Sequence, residues 1–162
     1  MEFKTRKRNS KKGFDYSSEQ IYFVTICTNE KTPDFGYVEK DCMMLNENGK
    51  ITEEQIHWLE EQYHYVNIHN AVVMPNHVHI LFEIDVHYIL PGAKIKSVSE
   101  LIGAYKTTVS KLIHLSGNIT FKWQRSFHDH IVRDADRYEN IYHYISENPA
   151  RWHKDVHNNN TP

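Results

Sequence analysis

The stretch MPNHVHILFEI, Met74 to Ile84, places His77 and His79 two residues apart in a run that otherwise reads as a buried strand. Residues i and i+2 of a strand project to the same face, so both imidazoles can be offered to one cation while Val78 points the other way, into a core. Spacing alone does not make a site. With twelve histidines in 162 residues, about one His-x-His triplet is expected by chance, and a second stands at His128-Asp129-His130. That second triplet carries an acid on the alternate face, a poorer fit to a half-buried strand. Its histidines suit proton transfer, DNA contact or a plain strand surface. Two neutral imidazoles also leave a divalent ion short of a third protein ligand.

A source for that ligand is YHYISENPARW, Tyr142 to Trp152, where Tyr144 and Asn148 lie four residues apart on one helical face. An amide oxygen of Asn148 would complete a coordination shell, and the Tyr144 phenol, a nucleophile when activated, would share the same space. A core tyrosine and a capping asparagine before proline are the competing readings. Tyr142 lies about 200° around the helix from Tyr144 and is assigned to packing. Tyr105, in LIGAYKTTVSK, sits on an apolar stripe with no amide four residues on, so it is assigned to the core, with Lys106 and Lys111 as phosphate contacts. In WQRSFHDHIVRD, Trp123 can stack on an unpaired base or close the edge of a core, and Arg125 or Arg133 can grip phosphate.

The elements that must position these residues read as follows. Tyr22 to Thr28 is rich in β-formers and predicts a first strand. Asn46 to Tyr65 changes to helical spacing, with Thr52 before Glu53, Glu54 and Gln55 as the capping signal. Val66 to Met74 and His77 to Ile84 form a hairpin around Pro75-Asn76. Ser97 to Leu115 is a second helix behind a Ser-x-x-Glu start. Phe127 to Arg133 predicts a fourth strand, and Asp134 to Ser146 a third helix stopped near Pro149. The order β, α, β, β, α, β, α implies an α+β, ferredoxin-like sandwich with a central antiparallel sheet carrying the histidines and helices packed on it.

Composition bounds the setting. The length suits one domain, and 40% hydrophobic with 25% charged residues is ordinary for a globular chain. No apolar run approaches a membrane span. The basic start leads into polar sequence and not the apolar core of a signal peptide, so a cytoplasmic protein is expected. Cys27 and Cys42 have neither Cys-x-x-Cys spacing nor a disulfide assignment. A net charge of -2 argues against coating nucleic acid in bulk, yet Lys4, Arg6, Lys7, Arg8, Lys11 and Lys12 crowd the start, where a cationic arm can follow a phosphate backbone or remain a solvated terminus. The expected division is a basic arm over 1–15, one domain over 16–153 and a polar, frayed tail over 154–162.

MPNHVHILFEI, then WQRSFHDHIVRD, then YISENPARW, in that order and rough spacing, resemble the single-tyrosine HUH transposases, specifically the REP-associated tyrosine transposases. The resemblance runs from IYFVTICT through Trp152. It implies that His77 and His79 hold a divalent ion, Mg2+ or Mn2+, at the scissile phosphate, that Asn148 is the third ligand and that Tyr144 is the nucleophile. The implied activity is cleavage and rejoining of single-stranded hairpin DNA through a 5′-phosphotyrosine bond, with a short guide tetranucleotide setting the cut. Monomer and dimer both fit. Histidine is a softer ligand than magnesium prefers, so that metal does not follow from the ligand chemistry. Two rivals stand beside this reading: a metal-dependent phosphodiesterase using water, and a domesticated, non-catalytic DNA-binding relative. A histidine-triad hydrolase is excluded because position 81 is leucine.

Overall fold

The computed structural model describes residues 20–159. Among the described residues six strands and three long helices follow one another: β1 (Ile21–Cys27), β2 (Gly36–Glu39), β3 (Cys42–Leu45), α1 (Glu47–Gln62), β4 (Val66–Val73), β5 (His77–Ile84), α2 (Val98–Leu115), β6 (His128–Ile131) and α3 (Ala135–Glu147). Four strands make the main sheet in the order β4-β5-β1-β6, with every neighbouring pair antiparallel. Leaving β2 and β3 aside, the spatial order of the first to fourth strands is two, three, one, four, the arrangement expected of a ferredoxin-like sheet.

The alternation along each strand divides the molecule into two layers. Val24, Ile26, Val78, Ile80 and Phe82 point to one face, where α1 and α2 cover them with Ile56, Leu59, Leu101, Ile102, Tyr105 and Val109. Ile21 and Leu81 point to the other face and meet Tyr138 and Ile145 of α3. Tyr105 is fully buried in the first layer and its hydroxyl donates to the Thr52 carbonyl at 2.9 Å. It is a core residue, as expected. Helix α2 begins with the Ser97–Glu100 capping box read from the sequence, both reciprocal bonds being made.

Helix α1 begins where the spacing changes, at Asn46, but its capping residue differs from the expectation. Its cap is Asn46, whose side chain accepts from the Gly49 amide, while Thr52 lies buried inside the helix with its hydroxyl donating to the Asn48 carbonyl. Asn46 is followed by a helical turn rich in poor helix formers, Asn48 and Gly49, which masked it. Gly49 is needed there, because a Cβ would run into the carbonyl oxygen of Phe35 and crowd the Leu45 side chain. Gly49→Ala should therefore destabilise the fold by about 1–3 kcal/mol, as overpacking does, measured by urea denaturation; an unchanged midpoint would show that the loop yields freely.

The β2–β3 hairpin is an element the sequence reading lacks. Its two-residue turn holds Lys40 at φ 48° and Asp41 at φ 62°. These are the left-handed conformations of a primed hairpin turn, adopted without the Asn-Gly or Asp-Gly that normally advertises one. The fourth strand is also shorter than expected, four residues against seven. Among the described residues no helix is long and apolar enough to cross a membrane.

Candidate active site

His77 and His79 leave β5 on the face opposite Val78, as the period of the strand requires, but that face is not solvent. Both are buried, at 0% and 2% exposure, beneath α3 and the chain that follows it. Their ring centroids are 4.6 Å apart. The ring of Tyr144 lies 5.3 Å from that of His79 and meets Phe23 of β1 edge-on at 6.4 Å. Asn148, one residue past α3, is fully buried. The histidine pair, Tyr144 and Asn148 thus converge from elements more than sixty residues apart in sequence.

The polar atoms of this cluster are partnered on one side only. Asn76 spends both amide hydrogens on the carbonyls of Lys31 and His157, so the atom that faces His77 Nδ1 at 2.8 Å is its oxygen. His77 Nδ1 must then carry the proton, leaving a lone pair on Nε2. His79 Nδ1 lies 2.8 Å from Thr25 Oγ1 on the neighbouring strand, which can accept its proton in the same way. Asn148 Nδ2 donates to Asp155 Oδ2 at 3.3 Å, which turns the amide oxygen away. The result is that His77 Nε2, His79 Nε2 and Asn148 Oδ1 are all buried with no hydrogen-bond partner. Buried acceptors left unpaired cost about 1–3 kcal/mol each, and their convergence fits the donor set of a divalent ion.

Electrostatics suits the same purpose. Burial first, and the neighbouring His157 second, push His79 down to about 3. His77 is held well below the ordinary histidine range by burial and then by the two adjacent imidazoles. Both are therefore neutral ligands at physiological pH. The Tyr144 hydroxyl is pushed up, chiefly by burial and then by the Asp155 charge, so it stays a phenol until something takes its proton.

Helix α3 owes its position to edge strand β4. A bulge between Ile68 and Asn70 takes His69 out of the ladder and aims it at the helix, where its Nδ1 pairs with the Tyr138 hydroxyl at 2.8 Å and its Nε2 with Glu83 at 2.9 Å. One turn on, Asn70 Nδ2 donates to the Tyr142 carbonyl and to Ser146 Oγ. Tyr142 packs on Tyr138 at 6.2 Å, as its helical angle implied. Tyr144 is left half-buried, opening on a groove of about 730 Å³ beside Arg137, Asn140 and Arg151.

The remaining candidates are scattered. Lys106, Trp123 and Arg125 line a separate open groove of about 790 Å³ together with Lys111 and Lys122. There the Lys106 ammonium donates to the Gln124 and Arg125 carbonyls. The Trp123 indole packs on Phe35 and Phe121 while its N–H donates to the Lys106 carbonyl, so its ring closes the edge of the core. Arg133 is exposed just after β6. His128 and His130 are exposed on that edge strand, with His130 stacked on Phe23 at 6.4 Å. Lys4, Arg6, Lys7 and Arg8 lie outside the described residues.

Residues 154–159, expected to trail off, fold back instead. Asp155 is buried, and the His157 ring sits 4.4 Å from that of His77. Ligand atoms of His77, His79 and His157 all lie within 4.8 Å of one another. His157 is held below the ordinary range, first by burial. Neither Asp155 nor His157 carries a local sequence signal, since both reach the site through a break at Pro149 and a short turn at Trp152–Lys154.

Two solved structures define the class to which this fold belongs. A REP-associated tyrosine transposase bound to a REP hairpin aligns with a TM-score of 0.58 at 18% identity, covering 83% of this chain and 68% of that one. A candidate transposase from Deinococcus radiodurans R1 aligns at 0.53 with 14% identity, covering 85% and 95%. The likeness is one of fold: a transposase-like α+β sandwich. In sequence, the chain is 32% identical over 158 residues to an uncharacterized protein of Haemophilus influenzae, covering 89% of this chain and 88% of that protein, and it belongs to the same family as that protein. No family model matches the chain.

Proposed function

We propose that this protein cleaves and rejoins single-stranded hairpin DNA by transesterification at Tyr144, with a divalent ion held by His77, His79 and Asn148. The observation that carries the reading is the convergence of three buried, unpartnered acceptors beside a half-buried tyrosine. When bound, the ion supplies Lewis-acid polarisation of a non-bridging phosphate oxygen. The chain does the rest. Phe23 and His79 fix the tyrosine ring, the His69 bulge and Asn70 fix its helix, and the groove beside Arg137 and Arg151 gives a phosphate backbone access to the hydroxyl.

In the reaction the Tyr144 oxygen bonds to phosphorus, the bond from phosphorus to the 3′ oxygen breaks, and the phenol proton ends on the released 3′ hydroxyl. A 5′-phosphotyrosine remains. A later attack by a 3′ hydroxyl reverses these steps and rejoins strands without nucleotide hydrolysis. The basic arm and the Lys106–Arg125 groove suit a nucleic-acid backbone. The test is incubation with a panel of end-labelled hairpin oligonucleotides and Mn2+, scoring the cut position and a denaturation-resistant protein–DNA band. Cleavage without that band would assign the chemistry to water; binding without cleavage would make the protein a non-catalytic relative.

Asp155 has a positioning role in this scheme, since its carboxylate holds the Asn148 amide by one oxygen and the His157 backbone by the other. Asp155→Ala should weaken Mn2+ binding by about 10–100-fold, the usual effect of losing a partner that orients a ligand. Calorimetric titration reads this directly, and unchanged affinity would remove Asp155 from the site.

A further inference from the structure

Three buried acceptors would satisfy an ion, yet a fourth donor stands beside them on a segment that is itself held in place by hydrogen bonds. The His157 carbonyl accepts from Asn76 Nδ2 at 2.7 Å, its amide donates to Asp155 Oδ1 at 2.8 Å, and Asn158 and Asn159 donate to the carbonyls of Trp152 and Lys31. These bonds fix residues 157–159 against the end of β5. Asn76 is the shared anchor, because the same side chain orients His77 through its oxygen. His157 Nδ1 faces the Cys27 sulfur at 3.9 Å, a weak acceptor, which leaves the other ring nitrogen to offer.

We propose that His157 is a third imidazole ligand, so that this chain presents three ring nitrogens and one amide oxygen, a donor set that selects a transition ion such as Mn2+ or Co2+ over Mg2+. Magnesium demands oxygen ligands in near-ideal octahedral geometry, whereas imidazole suits the borderline transition ions. The inference rests on the metal site of the proposed function and adds to it the ligand that sets its preference. An ion held by these four donors would take its remaining ligands from outside the chain, and phosphate oxygens would supply them.

The test is metal binding without DNA. Mn2+ affinity is read from loss of the free-ion electron paramagnetic resonance signal, and Mg2+ affinity by calorimetry, in wild type and His157→Ala. Mn2+ binding should weaken by about tenfold or more in the variant while Mg2+ binding changes by less than about threefold. A smaller loss for Mn2+, or an equal loss for both ions, would overturn the proposal. A wild type that binds neither ion would remove the metal site itself, and the third ligand with it. A second readout needs no variant: the proton spectrum of the wild type loaded with Co2+ should show hyperfine-shifted signals from three imidazoles, and signals from only two would assign His157 elsewhere.

Discussion

Tyr144→Phe should abolish the covalent protein–DNA band and reduce strand cleavage by about four orders of magnitude or more, the scale on which removal of an enzyme's nucleophile is felt. The variant loses one oxygen and nothing of the ring that packs against Phe23 and His79, so hairpin affinity and thermal stability should stay near wild type. That separation gives the test its force. A band that persists in the variant would transfer the nucleophile to another residue, and the fold narrows the choice. Tyr105 is sealed in the opposite layer and Tyr142 is packed on Tyr138. Loss of binding along with cleavage would mean instead that the hydroxyl contacts DNA in the ground state.

The second large effect is on stability. With Mn2+ at about one hundred times its dissociation constant, linkage stabilises the wild type by about 2.7 kcal/mol, or roughly 5–11 °C in Tm for a domain of this size. His79→Leu should show no such rise, and equal shifts in both proteins would place the ion elsewhere. The pH dependence follows from the same burial. An imidazole titrating at its usual value near 6.5 would have to shed a proton to bind metal at pH 6, so affinity would climb from pH 6 to 8. Here His79 is already unprotonated down to about 3, and His77 and His157 are likewise held low, first by burial. Affinity measured by titration in buffers of different pH should therefore be nearly flat across that range; a slope approaching tenfold per unit would mean that a ligand titrates normally.

The parts of this site visible in the sequence were those with a period. Val78 between two histidines announces a strand with one face in a core, and that is where Val78 lies. The four-residue step from Tyr144 to Asn148 announces one helical face, and both reach the histidines. The Ser97 box marked a helix start because its two hydrogen bonds are local. What stayed hidden was non-local or chemically unmarked. His157 meets Asn76 across 81 residues of chain, and one more histidine in a chain of twelve carries no signal. The β2–β3 hairpin turns on a lysine and an aspartate in left-handed conformations, with no glycine to announce the turn and a lysine where that conformation is uncommon. Trp123 could be read from sequence either as a base-stacking platform or as a core edge, and its contacts with Phe35 and Phe121, which place it at the core edge, carry no local signal.

The three unpaired acceptors have a consequence for anyone who would improve this protein. In metal-free buffer they are a standing liability, each a solvated group surrendered for nothing, and an apolar residue of similar size in place of His79 would relieve part of it. His79→Leu is thus expected to melt higher than wild type when both are stripped of metal, and lower once both are supplied with it. A directed-evolution campaign scored on thermal survival in chelator should climb by replacing His77, His79 and Asn148, and would deliver a sturdier protein without the proposed metal ligands.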